Sequence, residues 1–352
     1  MSKKQNNIKA NKVLRTRKSE HIKIVLSKET EPNHFSELVR SPFSKYKLPY
    51  KALPEINLCD VNTSVKFLGY KLSFPFLISS MTGGPELGQR INTNLAKASE
   101  RSGCALALGS MRVILKDKTA IKTFNVKKYC PNIPLIANMG LVQLNYGYGA
   151  DEINYIIDSI NADAIFLHVN PLQESIQPEG DTNFKDLIPK LEKIISKVKR
   201  PILIKEVGTG IDKKTAKALF DIGIKWVDVS GAGGTSWSMV ESYRRNDDMG
   251  FSFNEFGIPT DKAIIGASSI KGLNVIAGGG IRSGVDIAKA ISLGAKIVTS
   301  AKPFLKPAIK SEKAVYDLLE KWKKQLQISM FVTGTNSLKE LSKIKLESSY
   351  HI

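Results

Sequence analysis

Four polar side chains crowd the point where an apolar run stops. Phe166-Leu167-His168-Val169-Asn170 is followed at once by Pro171-Leu172-Gln173-Glu174. His168 and Asn170 fall on one side of an extended chain, because strand side chains alternate. Gln173 and Glu174 come next, in the loop. His, Asn and Gln can orient a substrate or relay a proton, so His168, Asn170 and Gln173 are the catalytic candidates. Glu174 is a candidate ligand for Mg²⁺, which prefers carboxylate and phosphate oxygens. Taken singly, Glu174 reads equally as a surface acid and His168 as a satisfied interior histidine. Their density favours a site.

Other segments carry compatible chemistry. Arg17-Lys18-Ser19-Glu20-His21 offers a bidentate guanidinium, a point charge and an imidazole, suited to a flexible clamp over a diphosphate. By itself such a basic pair reads as a solvated face. Ser79-Ser80-Met81-Thr82-Gly83-Gly84 has small residues that admit a flat ring, or form a tight turn. Ser110 and Asn138 end two further apolar runs and can bond the polar edge of a heterocycle, or cap a helix. Lys205 stands inside an apolar run, facing the mouth of a barrel or a partner, and Glu206 faces the other way. Ser230-Gly-Ala-Gly-Gly-Thr235 and Gly278-Gly279-Gly280 are glycine-rich run ends. With Ala301 and Lys302, Gly279 and Gly280 fit a phosphate cradle of backbone N–H groups, and the run Gly278–Gly284 is hard to explain by packing alone.

Eight short apolar runs position these residues: Pro75–Ser80, Ala105–Gly109, Pro134–Asn138, Ala164–Asn170, Pro201–Val207, Trp226–Gly231, Asn274–Gly279 and Ile297–Ala301. They are continuous rather than alternating, as strands covered on both faces are. Amphipathic stretches lie between them: Leu87–Arg101, Asp151–Ile160, Phe184–Val198, Lys213–Ile222 and Val285–Leu293. Asp212 and Ser283 suit N-caps, Gly223 and Gly294 C-terminal caps. The pattern predicts an α/β fold, a (β/α)₈ TIM barrel with an N-terminal extension and C-terminal helices. Residues 13–352 read as one domain, preceded by a flexible basic leader, 1–12. The polar stretch Tyr243–Pro259 reads as an active-site loop.

Of 352 residues, 42% are hydrophobic, enough for one large core, while 52 Lys+Arg against 33 Asp+Glu give +19. Such a surface attracts anions. The basic residues are scattered without interleaved aromatics, which argues against a nucleic-acid partner. No run reaches the roughly 20 apolar residues of a membrane span. Cys59, Cys104 and Cys130 lack metal or redox spacing, and the leader lacks a secretory core, so a reduced, cytoplasmic protein is expected.

In combination, Arg17-Lys18-x-x-His21, Met81-Thr-Gly-Gly84, His168-x-Asn-Pro-x-Gln-Glu174, Lys205-Glu206, Ser230-Gly-x-Gly-Gly-Thr-x-Trp237 and Gly279-Gly-Ile-Arg282 resemble the type 2, flavin-dependent isopentenyl-diphosphate isomerases, especially archaeal members. The resemblance spans the chain from about Arg17 to the C-terminal helices. It implies FMN, with Ser80, Met81 and Thr82 along the flavin ring. It implies Ser110, Asn138, Lys205, Ser230 and Thr235 around the ring and ribityl chain, and Gly279, Gly280, Ala301 and Lys302 at the phosphate. Lys205 suits the electron-rich end of the ring. Arg17, Lys18, His21 and Gln173 would bind the substrate, with Glu174 holding Mg²⁺. The family also implies a homo-oligomer, tetramer or octamer, with an N-terminal segment reaching toward a neighbour's site. Met111 departs from the family's usual Gln, Lys302 from a residue that is often Arg or apolar, and the stretch before Gly257 lacks a frequent Trp. The implied reaction is reversible conversion of isopentenyl to dimethylallyl diphosphate. NADPH or NADH would first reduce the FMN. An FMN-dependent 2-hydroxy-acid dehydrogenase or oxidase is the rival on the same barrel.

Overall fold

The computed structural model describes residues 17–32, 41–81 and 86–348. Thr82 and the 1–12 leader lie outside the described residues. The eight expected runs become β1 (Phe76–Ile78), β2 (Ala105–Ala107), β3 (Leu135–Gly140), β4 (Ala164–Val169), β5 (Ile202–Glu206), β6 (Trp226–Asp228), β7 (Asn274–Ala277) and β8 (Ile297–Ser300). They pair in parallel, each with the next, and β8 closes on β1 with Val298 opposite Phe76. The result is the expected (β/α)₈ barrel, with helices between the strands.

Strand parity separates two cores. Leu77, Ala105, Ala107, Ile136, Ala164, Phe166, Leu203, Ile276 and Ile297 point inward and pack together. Their outward neighbours, such as Phe76, Ile78, Leu106 and Ile204, pack against the helices. A hairpin, Val65–Phe67 with Tyr70–Leu72, plugs the amino-terminal end of the barrel, and its Phe67 and Leu72 join the inner core. Continuing each strand by two residues on the same inward parity reaches Ser79, Gly109, Asn138, His168, Lys205, Asp228, Gly278 and Thr299. The polar layer therefore sits directly above the apolar one, at the carboxyl ends of the strands.

Helix ends follow local chemistry. Asp212 accepts from Thr215 N and Ser283 from Asp286 N, as expected of N-caps. Gly223 and Gly294 take φ of +104° and +115° just past their helices. After β8 come Lys302–Lys310 and the long Glu312–Val332, whose Trp322 packs edge-on against Phe76 and Phe304. Tyr243–Pro259 is only partly a loop. It begins as the last turn of helix Trp237–Arg245 and passes through a 3₁₀ turn, Met249–Phe253.

Residues 17–27 form a helix rather than a flexible arm. Ile22 is buried, and Lys18, His21, Ile22 and Val25 share one face at helical spacing toward the barrel mouth. That apolar contact holds the helix on its own chain's barrel. Residues 41–47 then run against the loops after β6 and β7, where Ser41 Oγ donates to the Gly280 carbonyl at 3.1 Å, and Tyr46–Lys47 pairs antiparallel with Glu347–Ser348.

Candidate active site

One cavity at the carboxyl ends of the strands brings together nearly every sequence-predicted residue. Arg17, Lys18, His21, Ser80, Met81, Ser110, Asn138, His168, Asn170, Gln173, Glu174, Lys205, Ser230, Thr235, Gly279, Gly280, Ala301 and Lys302 all line it. Met111 is buried in the outer core instead, so its side chain belongs to packing.

On one wall, His168 Nδ1 donates to Asn138 Oδ1 at 2.7 Å, and Asn138 Nδ2 donates to Ser80 Oγ at 2.9 Å. This chain fixes the imidazole's tautomer and leaves Nε2 as the free acceptor. Burial and the nearby Lys205, Arg112 and Arg17 cations push the imidazole down to about 3. His168 is therefore neutral at pH 7.

The next cluster forms because Pro171 starts a short helix, Pro171–Ile176, directly at the end of β4. Asn170 Nδ2 donates to Gln173 Oε1 at 3.0 Å and to Glu174 Oε1 at 2.9 Å. Glu174 Oε2 accepts from the backbone of Asp181 at 2.7 Å. Gln173 Nε2 donates to Glu241 Oε1 at 3.0 Å, and His21 Nε2 donates to the same oxygen at 3.0 Å. Arg244 Nη1 donates to Glu241 Oε2 at 2.9 Å. Burial raises the Glu241 carboxyl, but the bonds from His21, Gln173 and Arg244 outweigh it and hold it near 2. Glu241 was missed by sequence reading. It sits in a helix 68 residues from Gln173, and no local pattern marks it.

At the clamp, Lys18 Nζ donates to the Ser110 carbonyl at 2.8 Å. Burial, then Arg17 and Arg112, push this amine down to about 7. Arg17 Nε and Nη1 are buried without hydrogen-bond partners, and Nη1 lies 3.8 Å from Glu179 Oε1, too far for a hydrogen bond. Buried donors are normally satisfied, so these two, facing a cavity, fit an anionic ligand. Arg112, also unforeseen as a site residue, pairs with Asp181 and faces the same space. Among the described residues no group of three or more His, Cys, Asp or Glu could hold a metal. Glu174 fits a Mg²⁺ only where diphosphate and water supply the other ligands, a common arrangement for that ion.

Lys205 Nζ donates to the Glu206 carbonyl at 2.7 Å. Glu206 itself turns outward and accepts from the backbone of Gly208, Thr209 and Gly210, so it braces the loop after β5. Ser230 Oγ donates to Asp228 Oδ1 at 2.7 Å, which leaves only its lone pairs for a ligand.

Packing alone does account for the glycines after β7, contrary to expectation. A Cβ on Gly278 would lie 2.3 Å from Ser230 Oγ, on Gly279 2.0 Å from Gly231 O, and on Gly284 1.9 Å from Trp322 O. Gly280 meets Gly233 O and Pro42. Gly279 and Gly280 also hold φ of +95° and +76°. The stronger anion signal at this end is a cation pair. Arg282 Nη2 donates to Glu31 Oε2 at 2.6 Å, and Lys302 Nζ lies 3.0 Å from Glu31 Oε1. Both cations line the cavity beside Gly279, Gly280 and Ala301, and so fit a phosphate.

The FMN-dependent dehydrogenase family matches residues 170–348. Among solved structures, a doubly substituted flavocytochrome b2 with sulfite bound is similar at TM-score 0.70 and 19% identity, over 94% of this chain and 83% of that one. A lactate oxidase of Pediococcus acidilactici gives TM-score 0.66 and 16% identity, over 92% and 88%. At those identities the likeness is one of fold. The isopentenyl-diphosphate delta-isomerase of Rickettsia bellii (strain OSU 85-389) is 44% identical over 339 residues, 95% of this chain and 97% of that protein. The protein of the same name from Rickettsia canadensis (strain McKiel) is 44% identical over 336 residues, 94% and 97%. With that similarity along almost its whole length, on a flavin-dehydrogenase barrel, the chain belongs to the type 2, FMN-dependent isopentenyl-diphosphate delta-isomerases.

Proposed function

We propose that this isomerase interconverts isopentenyl and dimethylallyl diphosphate by a 1,3-allylic proton shift, with reduced FMN and Mg²⁺. One proton is added at the terminal alkene carbon and one is lost from C2, with no net redox change. An unactivated alkene is a poor base, so the reaction needs a placed acid and support for a tertiary cation. Reduced FMN supplies an exchangeable proton and an electron-rich face beside the alkene.

The observation that carries this reading is the commitment of the carboxylates in and just behind the cavity wall, Glu174 and Glu241. Glu174 and Glu241 are tied by hydrogen bonds to neighbouring groups, and His168 is neutral. These groups orient rather than serve as the strong acid. Gln173, held at both ends of its amide by Asn170 and Glu241, keeps the isoprenoid in one pose and can relay a proton. Arg17, Lys18 and His21 would hold the diphosphate, and Glu174 would be the carboxylate that holds a Mg²⁺ beside it, supplying charge neutralisation. Binding energy at the charged end then positions the uncharged end. Ser80, Met81, Ser110, Asn138, Lys205, Ser230 and Thr235 would surround the flavin, and Gly279, Gly280, Ala301 and Lys302 its phosphate.

NADPH or NADH is the proposed reductant. Among the described residues no helix is long and apolar enough to cross a membrane. The three cysteines are all unpaired thiols, which suits a cytoplasmic location. A homo-oligomer remains part of this reading.

The test is anaerobic. FMN, NADPH, Mg²⁺ and isopentenyl diphosphate are supplied, and dimethylallyl diphosphate is followed. Product only with reduced flavin, and no NADPH consumed per turnover, is expected. Bound FMN that is bleached by a hydroxy acid, with no isomer formed, would assign the protein to the dehydrogenases.

A further inference from the structure

The barrel interior holds a carboxylate that the isomerase reading does not use. Asp228, at the end of β6, is fully buried. It stands in register with Lys205 of β5. Its Oδ1 accepts from Ser230 N at 3.0 Å and Ser230 Oγ at 2.7 Å. Its Oδ2 has no hydrogen-bond partner and faces Lys205 Nζ at 3.8 Å. Burial dominates and raises this carboxyl above its ordinary value, with Lys205 and the Ser230 bonds acting against the rise. Asp228 does not line the cavity, whereas Lys205 does. The carboxylate therefore lies behind the ammonium, away from any ligand.

A lone buried ammonium is costly, and an opposite charge close by offsets that cost. The same carboxylate also cancels part of the positive field that Lys205 projects into the cavity. Lys205 does not depend on Asp228 for its position, because it donates to the Glu206 carbonyl at 2.7 Å. Asp228 thus changes the charge at the cavity wall more than its geometry.

We infer that Asp228 acts through Lys205 to attenuate the charge felt by the flavin, and so keeps the reduction potential of bound FMN low. The inference rests on the proposed FMN site. Reduction adds two electrons and one proton to FMN and leaves an anion on the ring. Positive charge nearby favours that anion, and Asp228 opposes it. A lower potential means a more electron-rich reduced flavin, which suits stabilisation of a cationic alkene.

The experiment measures FMN affinity by fluorescence quenching. It also measures the midpoint potential by titration with dithionite against a reference dye. Wild type, Asp228→Asn and Asp228→Ser are compared. Asp228→Asn is expected to bind oxidised FMN and to favour reduced over oxidised FMN at least tenfold more than wild type, a positive shift of about 30 mV for a two-electron couple. Asp228→Ser removes the same charge in a smaller side chain and is expected to shift the potential in the same direction. It decides the question if Asp228→Asn does not fold. A potential that is unchanged or more negative, with FMN bound, overturns the inference and leaves the FMN site standing. Wild-type protein that takes up no FMN overturns both.

Discussion

Gln173 and Glu241 meet at 3.0 Å although 68 residues separate them, and His21 of the N-terminal helix donates to the same Glu241 oxygen. A single carboxylate therefore ties the N-terminal helix to the Gln173 amide. Glu241→Gln keeps the shape but removes the charge and replaces an acceptor with a donor. Turnover is expected to fall by roughly 10²-fold, the scale of one misplaced proton-handling group. Glu241→Ala removes the acceptor that His21 and Gln173 share, while Arg244 keeps Glu20 and Glu179, and is expected to lower stability by about 1–3 kcal/mol. Steady-state kinetics and thermal unfolding check the two.

Gln173→Ala separates chemistry from cofactor binding. The side chain bonds Asn170 and Glu241 at the helix after β4, away from the Arg282 and Lys302 cations. Turnover is expected to drop by about 10²-fold or more, with FMN affinity unchanged. Wild-type rates with reduced flavin retained would remove Gln173 from the mechanism.

Lys18 is expected to make diphosphate binding depend on pH. Its amine sits at about 7 because of burial and the Arg17 and Arg112 cations. As pH rises through 7 the ammonium is lost, so KM for the diphosphate should climb. Lys18→Met should raise KM and flatten that climb. Stability should move the opposite way. Between about 7 and the ordinary 10.5 the unfolded chain binds the proton that the folded chain has lost. The apoprotein's stability therefore rises with pH across that window. Thermal melts at pH 7 and pH 9 of both proteins read this directly.

Glu174→Gln should raise the Mg²⁺ concentration for half-maximal activity by about tenfold or more, the effect expected from losing one charged ligand. The amide oxygen can still accept from Asn170 or Asp181, so FMN affinity should hold. An unchanged Mg²⁺ requirement would reassign Glu174 to a purely structural role.

Phe67→Ala tests the plug at the amino-terminal end of the barrel. Phe67 is buried against the inner core and stacks edge-on with Trp226 at 4.8 Å. Its truncation is expected to cost about 3–5 kcal/mol, seen in urea unfolding. Turnover per folded molecule should be unaffected, because the cavity lies at the opposite end.

The eight strands were legible in the sequence because a strand covered on both faces must be apolar at every position, whatever its partners. Caps at Asp212 and Ser283 were legible for a similar reason, since each answers to backbone groups three residues away. The His168–Glu174 cluster was visible because one strand end and the helix after it carry all of it. The glycines after β7 misled, because close approach of Gly231, Gly233 and Trp322 demands small residues as firmly as a phosphate does. Glu241, the Glu31 contact with Arg282 and Lys302, and Asp228 behind Lys205 were decided only by the tertiary structure. A buried charge needs a partner in space, and barrel closure chooses partners from strands and helices far apart in the chain.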